Sequence, residues 1–256
     1  MPRRRHDPGR DAQVGDRVTT PDQMRRIALA FARATTRPRH RLCAACVEVL
    51  DVSGAGITVM GGELAGPLCV SNERMRLLED LQFTTGEGPC RDAFTTRLPV
   101  LAAQLDSEAS GRWPAFVDLA VTSGIASVFA FPMSSMGATV GVLTLYQDVA
   151  GALTTAQHDD SVAIADVLFE TVLSLQDLAP DGSLATELDD AVAYRAQIHQ
   201  ASGMVSVQLR VSTREALARI RAYAFAHGSP VERVASDIVD RRLRLADDRI
   251  RPHEGA

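Results

Sequence analysis

A chain of 256 residues with 46% hydrophobic and 23% charged residues has the composition of a globular protein and the length for one or two domains with hydrophobic cores. No apolar run approaches the roughly 18 residues that span a bilayer, and the Arg-rich N-terminus lacks the apolar segment of a signal peptide. We therefore expect a cytoplasmic protein that does not bind a membrane.

The formal net charge of −5 is distributed unevenly along the chain. Residues 1–41 contain 11 Arg and 4 acidic residues, residues 42–183 contain 5 and 18, and residues 184–256 contain 11 and 10. From Ala191 to Leu245 there are 9 Arg against 4 acidic residues. This local excess of positive charge permits nucleic-acid binding by the C-terminal part but does not require it.

Residues 1–20 are polar, contain Pro and Gly and show no apolar period, which predicts a disordered tail. Over residues 21–176 the apolar spacing predicts helices and strands in alternation. The predicted helices are Pro21–Thr36, His40–Val49, Asn72–Gln82, a short turn at Arg91–Thr95, Trp113–Ser123 and Ala152–Leu175. The predicted strands are Ile57–Met60, Leu68–Val70, Leu98–Leu101, Ser127–Phe131 and Val140–Tyr146. Short turns at Gly61-Gly62 and Met136-Gly137 favour a mostly antiparallel sheet, and hence an α+β domain.

The four cysteines are interpreted mainly as core residues. Cys43 and Cys46 have the C-x-x-C spacing of redox and metal sites, but they lie in an apolar helix and no second such pair follows. Cys69 and Cys90 are single and distant in sequence. We expect buried thiols, with a redox or metal-sensing role as the alternative. Cys90, in the loop Gly86–Cys90, is expected to be the most reactive and is the candidate sensor residue.

No pattern of catalytic or metal-binding residues is evident. The six histidines are scattered without the spacing of a metal site. The Gly86-Glu-Gly sequence lacks the strand, helix and Lys of a phosphate-binding loop. We therefore expect a protein that is not an enzyme.

Several stretches of the N-terminal part carry a resemblance to a known sensor family. They are Ala55-Gly-Ile-Thr58, Gly86-Glu-Gly-Pro-Cys90, Ser127-Val-Phe-Ala-Phe-Pro132 and Gly141-Val-Leu-Thr-Leu145. Residues 21–176 resemble a GAF domain, the small-molecule-sensing relative of PAS domains, whose fold is an antiparallel sheet with flanking helices. The resemblance implies a small-molecule ligand but leaves its identity unknown. Haem, a cyclic nucleotide and no ligand at all remain open.

The C-terminal part follows a linker predicted at residues 177–186, where Pro180 and Gly182 would break a continuous helix. A coiled-coil-like stripe then predicts a long helix that could pair two chains, and its members are Leu184, Ala191, Ile198 and Val205, with Tyr194 and Ala201 between them. Two capping-box patterns predict the starts of two shorter helices, and they are Ser212-Thr-Arg-Glu215 and Ser229-Pro-Val-Glu232, with Pro230 at the first helical position. Gly228 favours a helix end between them. We expect a three-helix bundle over residues 187–245 and a tail over residues 246–256.

Four short stretches of this bundle match one family in order and spacing. They are Gln200-Ala-Ser-Gly-Met204, Glu215-Ala216, Ile220-Arg221 and Val234-Ala235. In combination they resemble the ANTAR family of RNA-binding antitermination domains, and a GAF module followed by an ANTAR module is a known architecture. The resemblance implies a homodimer that binds paired stem-loops in a nascent transcript. The chain departs from the family at Ser202, where a basic residue is common.

The resemblance and the chemistry of RNA recognition together give seven candidate RNA contacts, which are Gln200, Ser202, Gly203, Arg210, Arg214, Arg221 and Tyr223. Arg214 and Arg221 lie seven residues apart and are expected on one exposed side of the second helix. A solvated face is the alternative for these arginines, and a core position is the alternative for Tyr223. Gly203 beside Ala201 indicates close approach of another helix or of RNA.

Two functions follow from these patterns. The first is a signal-responsive RNA-binding regulator that prevents transcription termination. The alternative is a ligand-sensing dimerisation or protein-interaction module that does not bind RNA, which the nearly balanced charge of residues 184–256 and the presence of Ser202 favour.

Overall fold

The computed structural model describes residues 40–61, 64–177 and 195–245. Several predicted features lie outside these residues: the tails at 1–20 and 246–256, the helix at Pro21–Thr36 and most of the linker at 177–186. Gly62 of the predicted hairpin turn and three members of the heptad stripe, Leu184, Ala191 and Tyr194, also lie outside them.

Helices and strands alternate as the sequence predicts. The helices are α1 (His40–Leu50), α2 (Glu73–Thr85), α3 (Pro89–Thr96), α4 (Ser107–Arg112), α5 (Pro114–Thr122), α6 (Thr155–Asp177), α7 (Ala196–Leu209), α8 (Thr213–Ala226) and α9 (Val231–Val239). The strands are β1 (Gly54–Gly61), β2 (Leu64–Val70), β3 (Val100–Ala102), β4 (Ser127–Ser135) and β5 (Ala138–Gln147).

The five strands form one sheet in the order β2-β1-β5-β4-β3, and every pairing is antiparallel. The predicted antiparallel sheet with flanking helices is thereby confirmed. At its centre β1 and β5 approach closely beside Gly141, where an added Cβ would lie 2.2 Å from the backbone oxygen of Thr58. This position therefore requires glycine.

Successive side chains of a strand point to opposite faces of the sheet. Helices cover both faces. On one face Phe129, Phe131 and Leu143 pack in a hydrophobic core with α1 and α6. On the other face Val128 and Val142 pack with α2, α3, α4 and α5. The sheet is thus the middle layer of three.

Several predicted boundaries differ from the structure. Helix α4 was not predicted; Asp106 caps it by accepting from the backbone N–H groups of Glu108 and Ala109. Strand β3 begins at Val100 rather than at Leu98, which is exposed. The loop predicted at Gly86–Cys90 is shorter, because α3 begins at Pro89, a residue that favours the first turn of a helix.

The expectation of four buried thiols is wrong for one pair of cysteines. Cys43 of α1 and Cys69 of β2 form a disulfide whose Cα atoms are 6.0 Å apart. Cys46 and Cys90 are free and buried. The C-x-x-C spacing therefore does not mark a disulfide within the helix, since Cys43 bonds to a strand of the sheet instead.

A buried carboxyl lies between α2 and the sheet. Thr58 Oγ1 donates a 2.8 Å hydrogen bond to Glu79 Oε2, and Glu79 is 4% exposed. Gly56 leaves room for this group, since a Cβ there would lie 3.3 Å from Glu79 Oε1. Burial raises the pKa of Glu79, against the opposing effects of the Thr58 hydrogen bond and the positive charge of Arg195.

The disulfide makes a testable prediction about the oxidised protein. Denatured without reductant, the chain should show two reactive thiols rather than four. Replacing both Cys43 and Cys69 by Ala should lower the free energy of unfolding by about 3 to 4 kcal/mol, because the bond closes a loop across a separation of 26 residues. Thiol titration and urea unfolding measure the two quantities. Four reactive thiols in oxidised protein would contradict the bond.

A second prediction concerns Glu79. Its pKa is raised in the folded state, so the wild type loses stability as pH rises above the unfolded value near 4.5. The Glu79→Gln variant keeps an oxygen for Thr58 and removes the charge. We expect its free energy of unfolding to exceed that of the wild type at pH 7 and the difference to vanish below pH 4.5. Urea unfolding across this range measures it, with Glu48→Gln on the exposed side of α1 as control. A difference that does not change with pH would contradict the assignment.

Candidate nucleic-acid interface

Helices α7, α8 and α9 form the predicted bundle. The buried apolar residues of these helices are Ile198, Ala201, Val205, Ala216, Leu217, Ile220, Ala224, Val231, Val234, Ala235 and Ile238. These residues recur at helical spacing, so each helix buries one apolar face, and Val239 beside them is partly buried.

One of the two predicted capping boxes is present in part. Ser212 Oγ accepts a 3.1 Å hydrogen bond from the backbone N–H of Glu215, and α8 begins at Thr213 as predicted. The second prediction is wrong, because α9 begins after Pro230 without a side-chain cap. The predicted helix end at Gly228 is confirmed, because α8 ends at Ala226 and Gly228 has φ of +58°, in the left-handed region.

An open groove runs between α7 and the segment that follows α9. It has a volume of about 840 Å³, and its lining includes Gln200, Gly203, Met204, Val207, Arg241 and Arg244. Gln208 Nε2 donates to the backbone oxygen of Leu245 and holds this C-terminal segment against α7. Two residues of the first motif, Gln200 and Gly203, are exposed at this groove.

The groove combines positive charge with apolar surface. Arg241 and Arg244 are exposed, and neither forms an ion pair with another described residue. The neighbouring Arg242 differs, since it pairs with Asp237 at 2.8 Å and with Asp240 at 2.9 Å. Val207 is 81% exposed. Within the described residues, no atom lies within 4 Å of a Cβ built on Gly203, so the predicted close approach of a helix is absent there.

Three other candidate contacts are accessible to different degrees. Arg210 and Arg214 are exposed on either side of the turn between α7 and α8. Tyr223 is partly buried, and its ring stacks on that of His227 with centroids 3.9 Å apart. One face of the Tyr223 ring is therefore already covered.

The remaining two candidate contacts are not placed as the sequence predicts. Ser202 is 1% exposed, and its hydroxyl donates to the backbone oxygen of Ile198 at 2.7 Å. Arg221 is not on an exposed side of α8, because its guanidinium packs against Phe83 of the sheet domain. In this arrangement Ser202 is closed to a ligand, and Arg221 is only partly exposed.

Phe83 lies between two arginines of the bundle. The guanidinium carbon of Arg195 lies 3.6 Å from the ring centroid, and that of Arg221 lies 4.4 Å from it. We call these three residues the arginine–phenyl sandwich. Arg195 is 2% exposed and also donates to Asp80 Oδ1 at 3.0 Å. Gly86 adjoins the sandwich, since a Cβ there would lie 3.4 Å from Arg221 Nη1.

The electrostatics of the sandwich are unfavourable for Arg221. Burial, together with repulsion from Arg91 and Arg195, lowers the pKa of Arg221 to about 9. Its Nε has no hydrogen-bond partner among the described residues. At neutral pH the group is still protonated, so the lowered pKa indicates a charge that would interact more favourably elsewhere.

The sequence reasoning missed four residues of these two surfaces. Arg241 and Arg244 follow the last predicted helix, and their positive charge was the available signal. Phe83 and Arg195 gave no signal, because they meet only through tertiary contact between the sheet domain and the bundle.

The environment of Cys90, the candidate sensor residue, differs from the loop that the sequence predicts. Cys90 lies in α3 rather than in a loop and is 2% exposed. Burial and the nearby Glu79 carboxyl raise the pKa of its thiol well above the usual range. Its backbone N–H donates to Gln82 Oε1 at 2.8 Å. Burial and the raised pKa both disfavour the reactive thiolate form, and the sensor role of Cys90 stays a prediction.

The described parts of the chain contain neither a metal site nor a membrane-spanning helix. Among residues 40–61, 64–177 and 195–245, no three His, Cys, Asp or Glu side chains come together as a metal site would require. None of the helices formed by these residues is both long and apolar enough to cross a membrane.

Three solved structures are similar to the sheet domain. The GAF domain of a phosphoenolpyruvate-protein phosphotransferase from Acinetobacter is 10% identical with a TM-score of 0.48, and the match covers 64% of this chain and 99% of that one. The corresponding GAF domain from Coxiella burnetii is 11% identical with a TM-score of 0.46, covering 60% and 95%. A type II free methionine-R-sulfoxide reductase from Thermoplasma acidophilum is 16% identical with a TM-score of 0.39, covering 52% and 89%. At these sequence identities and TM-scores, each structure is similar to this chain, and the function of none of them is assigned to it.

The C-terminal part gives a direct family match. No curated protein matches the chain. The family model of the ANTAR domain matches residues 186–239, which include the exposed Gln200 and Gly203 and all but the last residues of the bundle. The chain therefore carries an ANTAR domain at residues 186–239, joined to an antiparallel sheet domain that is similar to GAF domains.

Proposed function

We propose that this chain is a signal-responsive, RNA-binding regulator without catalytic activity. Its ANTAR domain binds paired stem-loops in nascent transcripts and thereby prevents a terminator from forming. The observation that carries the proposal is the family match at residues 186–239, combined with the exposure of Gln200 and Gly203 beside two arginines in the groove.

The groove has the chemistry that an RNA loop needs. Guanidinium groups bind phosphate oxygens and stack on bases, and amide side chains such as that of Gln200 bond base edges. Exposed Gly203 allows a backbone or base to approach α7 closely. Arg210 and Arg214 add positive charge near the α7–α8 turn, and they remain candidate phosphate contacts.

The further parts of the proposal follow from the architecture. The chain acts in the cytoplasm, where transcripts are made, and functions as a homodimer whose two bundles bind two loops. Much of the helical stripe that would pair the chains lies in residues 178–194, outside the described residues. The sheet domain receives the signal, for which a small molecule is the expected form.

The alternative is a module that binds a protein through the same groove. The exposed Val207 and the partly buried Met204 favour it, because apolar surface is common in protein interfaces. Burial of Ser202, at a position that is often basic in the family, also removes one expected phosphate contact.

Titration of the full chain with a two-stem-loop RNA tests the proposal. We expect the Arg241→Ala/Arg244→Ala variant to bind about 10- to 100-fold more weakly and the slope of log K against log salt to fall by about 2, since two phosphate contacts are lost. Arg210→Ala/Arg214→Ala removes the same charge at the α7–α8 turn, outside the groove lining. Arg233→Ala, exposed on α9 outside the groove lining, is the matched single-charge control.

The two double variants separate the outcomes. Loss of binding only in Arg210→Ala/Arg214→Ala would keep the RNA-binding function but move the contact to the α7–α8 turn. Absence of RNA binding by the wild type at every salt concentration, with small-molecule extract supplied, would favour the protein-interaction module.

A further inference from the structure

We propose that the sheet domain holds the ANTAR domain in an autoinhibited arrangement through the arginine–phenyl sandwich, so that RNA competes with Phe83 and Asp80 for Arg195 and Arg221. This inference rests on the proposed RNA-binding function and concerns its regulation. The bundle then has two surfaces: the groove, which is open, and the sandwich surface, which the sheet domain covers.

One apolar residue of the sheet domain is central to the contact. Phe83 belongs to α2, yet it is buried in the same hydrophobic cluster as Ile220 and Ala224 of the bundle rather than in either core beside the sheet. It is 6% exposed. Separation of the two domains would therefore expose a phenyl ring and two guanidinium groups together.

Stacking of the guanidinium groups on Phe83 favours the closed contact, and repulsion between the arginines weakens it enough for RNA to displace Phe83. A guanidinium stacked on a phenyl ring gains roughly 0.5 to 2 kcal/mol, depending on desolvation. Burial and the nearby charges of Arg91 and Arg195 lower the pKa of Arg221, and the Asp80 carboxylate contacts Arg195. The closed arrangement thus concentrates positive charge around Phe83.

An RNA backbone supplies what the sandwich lacks. Phosphate oxygens accept bidentate hydrogen bonds from guanidinium groups, whereas the phenyl ring offers only its face. Arg221 Nε has no partner among the described residues and would gain one from phosphate. Release of the bundle therefore exchanges two stacked guanidiniums for two that bind RNA.

Helix α2 connects this contact to the centre of the sheet domain. Glu79 faces the sheet and accepts from Thr58 of β1, and Gln82 accepts from the backbone N–H of Cys90 in α3. Asp80 and Phe83 on the same helix face the bundle. A signal that displaces α2 relative to the sheet changes both sets of contacts, and this is the route by which the sheet domain controls the bundle.

RNA titration of the full-length Phe83→Ala variant tests the inference. Apparent affinity falls in proportion to the fraction of binding-competent protein, so opening the sandwich should strengthen RNA binding about tenfold. Leu77→Ala, 43% exposed on the same helix, is the matched control and should not change the affinity. The Phe83→Ala/Arg221→Ala double variant should lose the gain, because Arg221 then cannot bind phosphate.

A charge exchange tests the contact without RNA. Asp80→Arg should open the domains, and Asp80→Arg/Arg195→Asp should close them again. Hydrogen exchange of backbone amides in α8, measured by mass spectrometry, should rise in the first variant and return in the second. This pair also covers the case in which Phe83→Ala does not fold, since Asp80 is at the partly exposed edge of the contact.

The outcomes distinguish the inference from the function on which it rests. Unchanged exchange in Phe83→Ala and Asp80→Arg would overturn the domain contact. Increased exchange with unchanged RNA affinity would overturn autoinhibition while the RNA-binding function stands. If exchange increases but neither the wild type nor the variants bind RNA, the RNA-binding function fails, and autoinhibition of RNA binding fails with it.

Discussion

The structure depends on one helix that is buried on two opposite sides. Helix α2 packs Met75 and Leu78 against the sheet and presents Phe83 to the helical bundle. A shift of this helix that changes its contact with the sheet also changes its contact with the bundle. The sheet domain and the ANTAR domain are therefore coupled through a single rigid element rather than only through the chain that joins them.

Charge burial decides the character of this coupling. An apolar contact of the same area would hold the domains together more strongly, because it would bury no charged group. Here the bundle contributes two guanidiniums to the contact and the sheet domain contributes Asp80, with the Glu79 carboxyl buried one residue before it. Buried ionic groups weaken an interface and make it specific, which suits a contact that must open.

Local patterns predicted the elements well because the physical causes are local. The apolar faces of α8 and α9 follow helical spacing, and Ser212 begins α8 through a hydrogen bond to a residue three positions away. The failures are tertiary in origin. Arg221 has the sequence context of an exposed cation, and only contact with distant Phe83 buries it. The pairing of Cys43 with Cys69, rather than with the nearer Cys46, likewise depends on how α1 lies against the sheet.

An arginine with a left-handed backbone conformation follows each of the helices α7 and α9. Arg210 and Arg241 have φ of +53° and +59°, in the left-handed region that glycine adopts without strain. An L side chain there costs roughly 1 kcal/mol, and both guanidiniums are exposed, so packing does not offset the cost. Glycine at either position would give a more stable bundle with less positive charge. Selection of variants for heat resistance alone would therefore tend to remove cations from the surface assigned to RNA, and thermal stability and ligand affinity should diverge at these two positions.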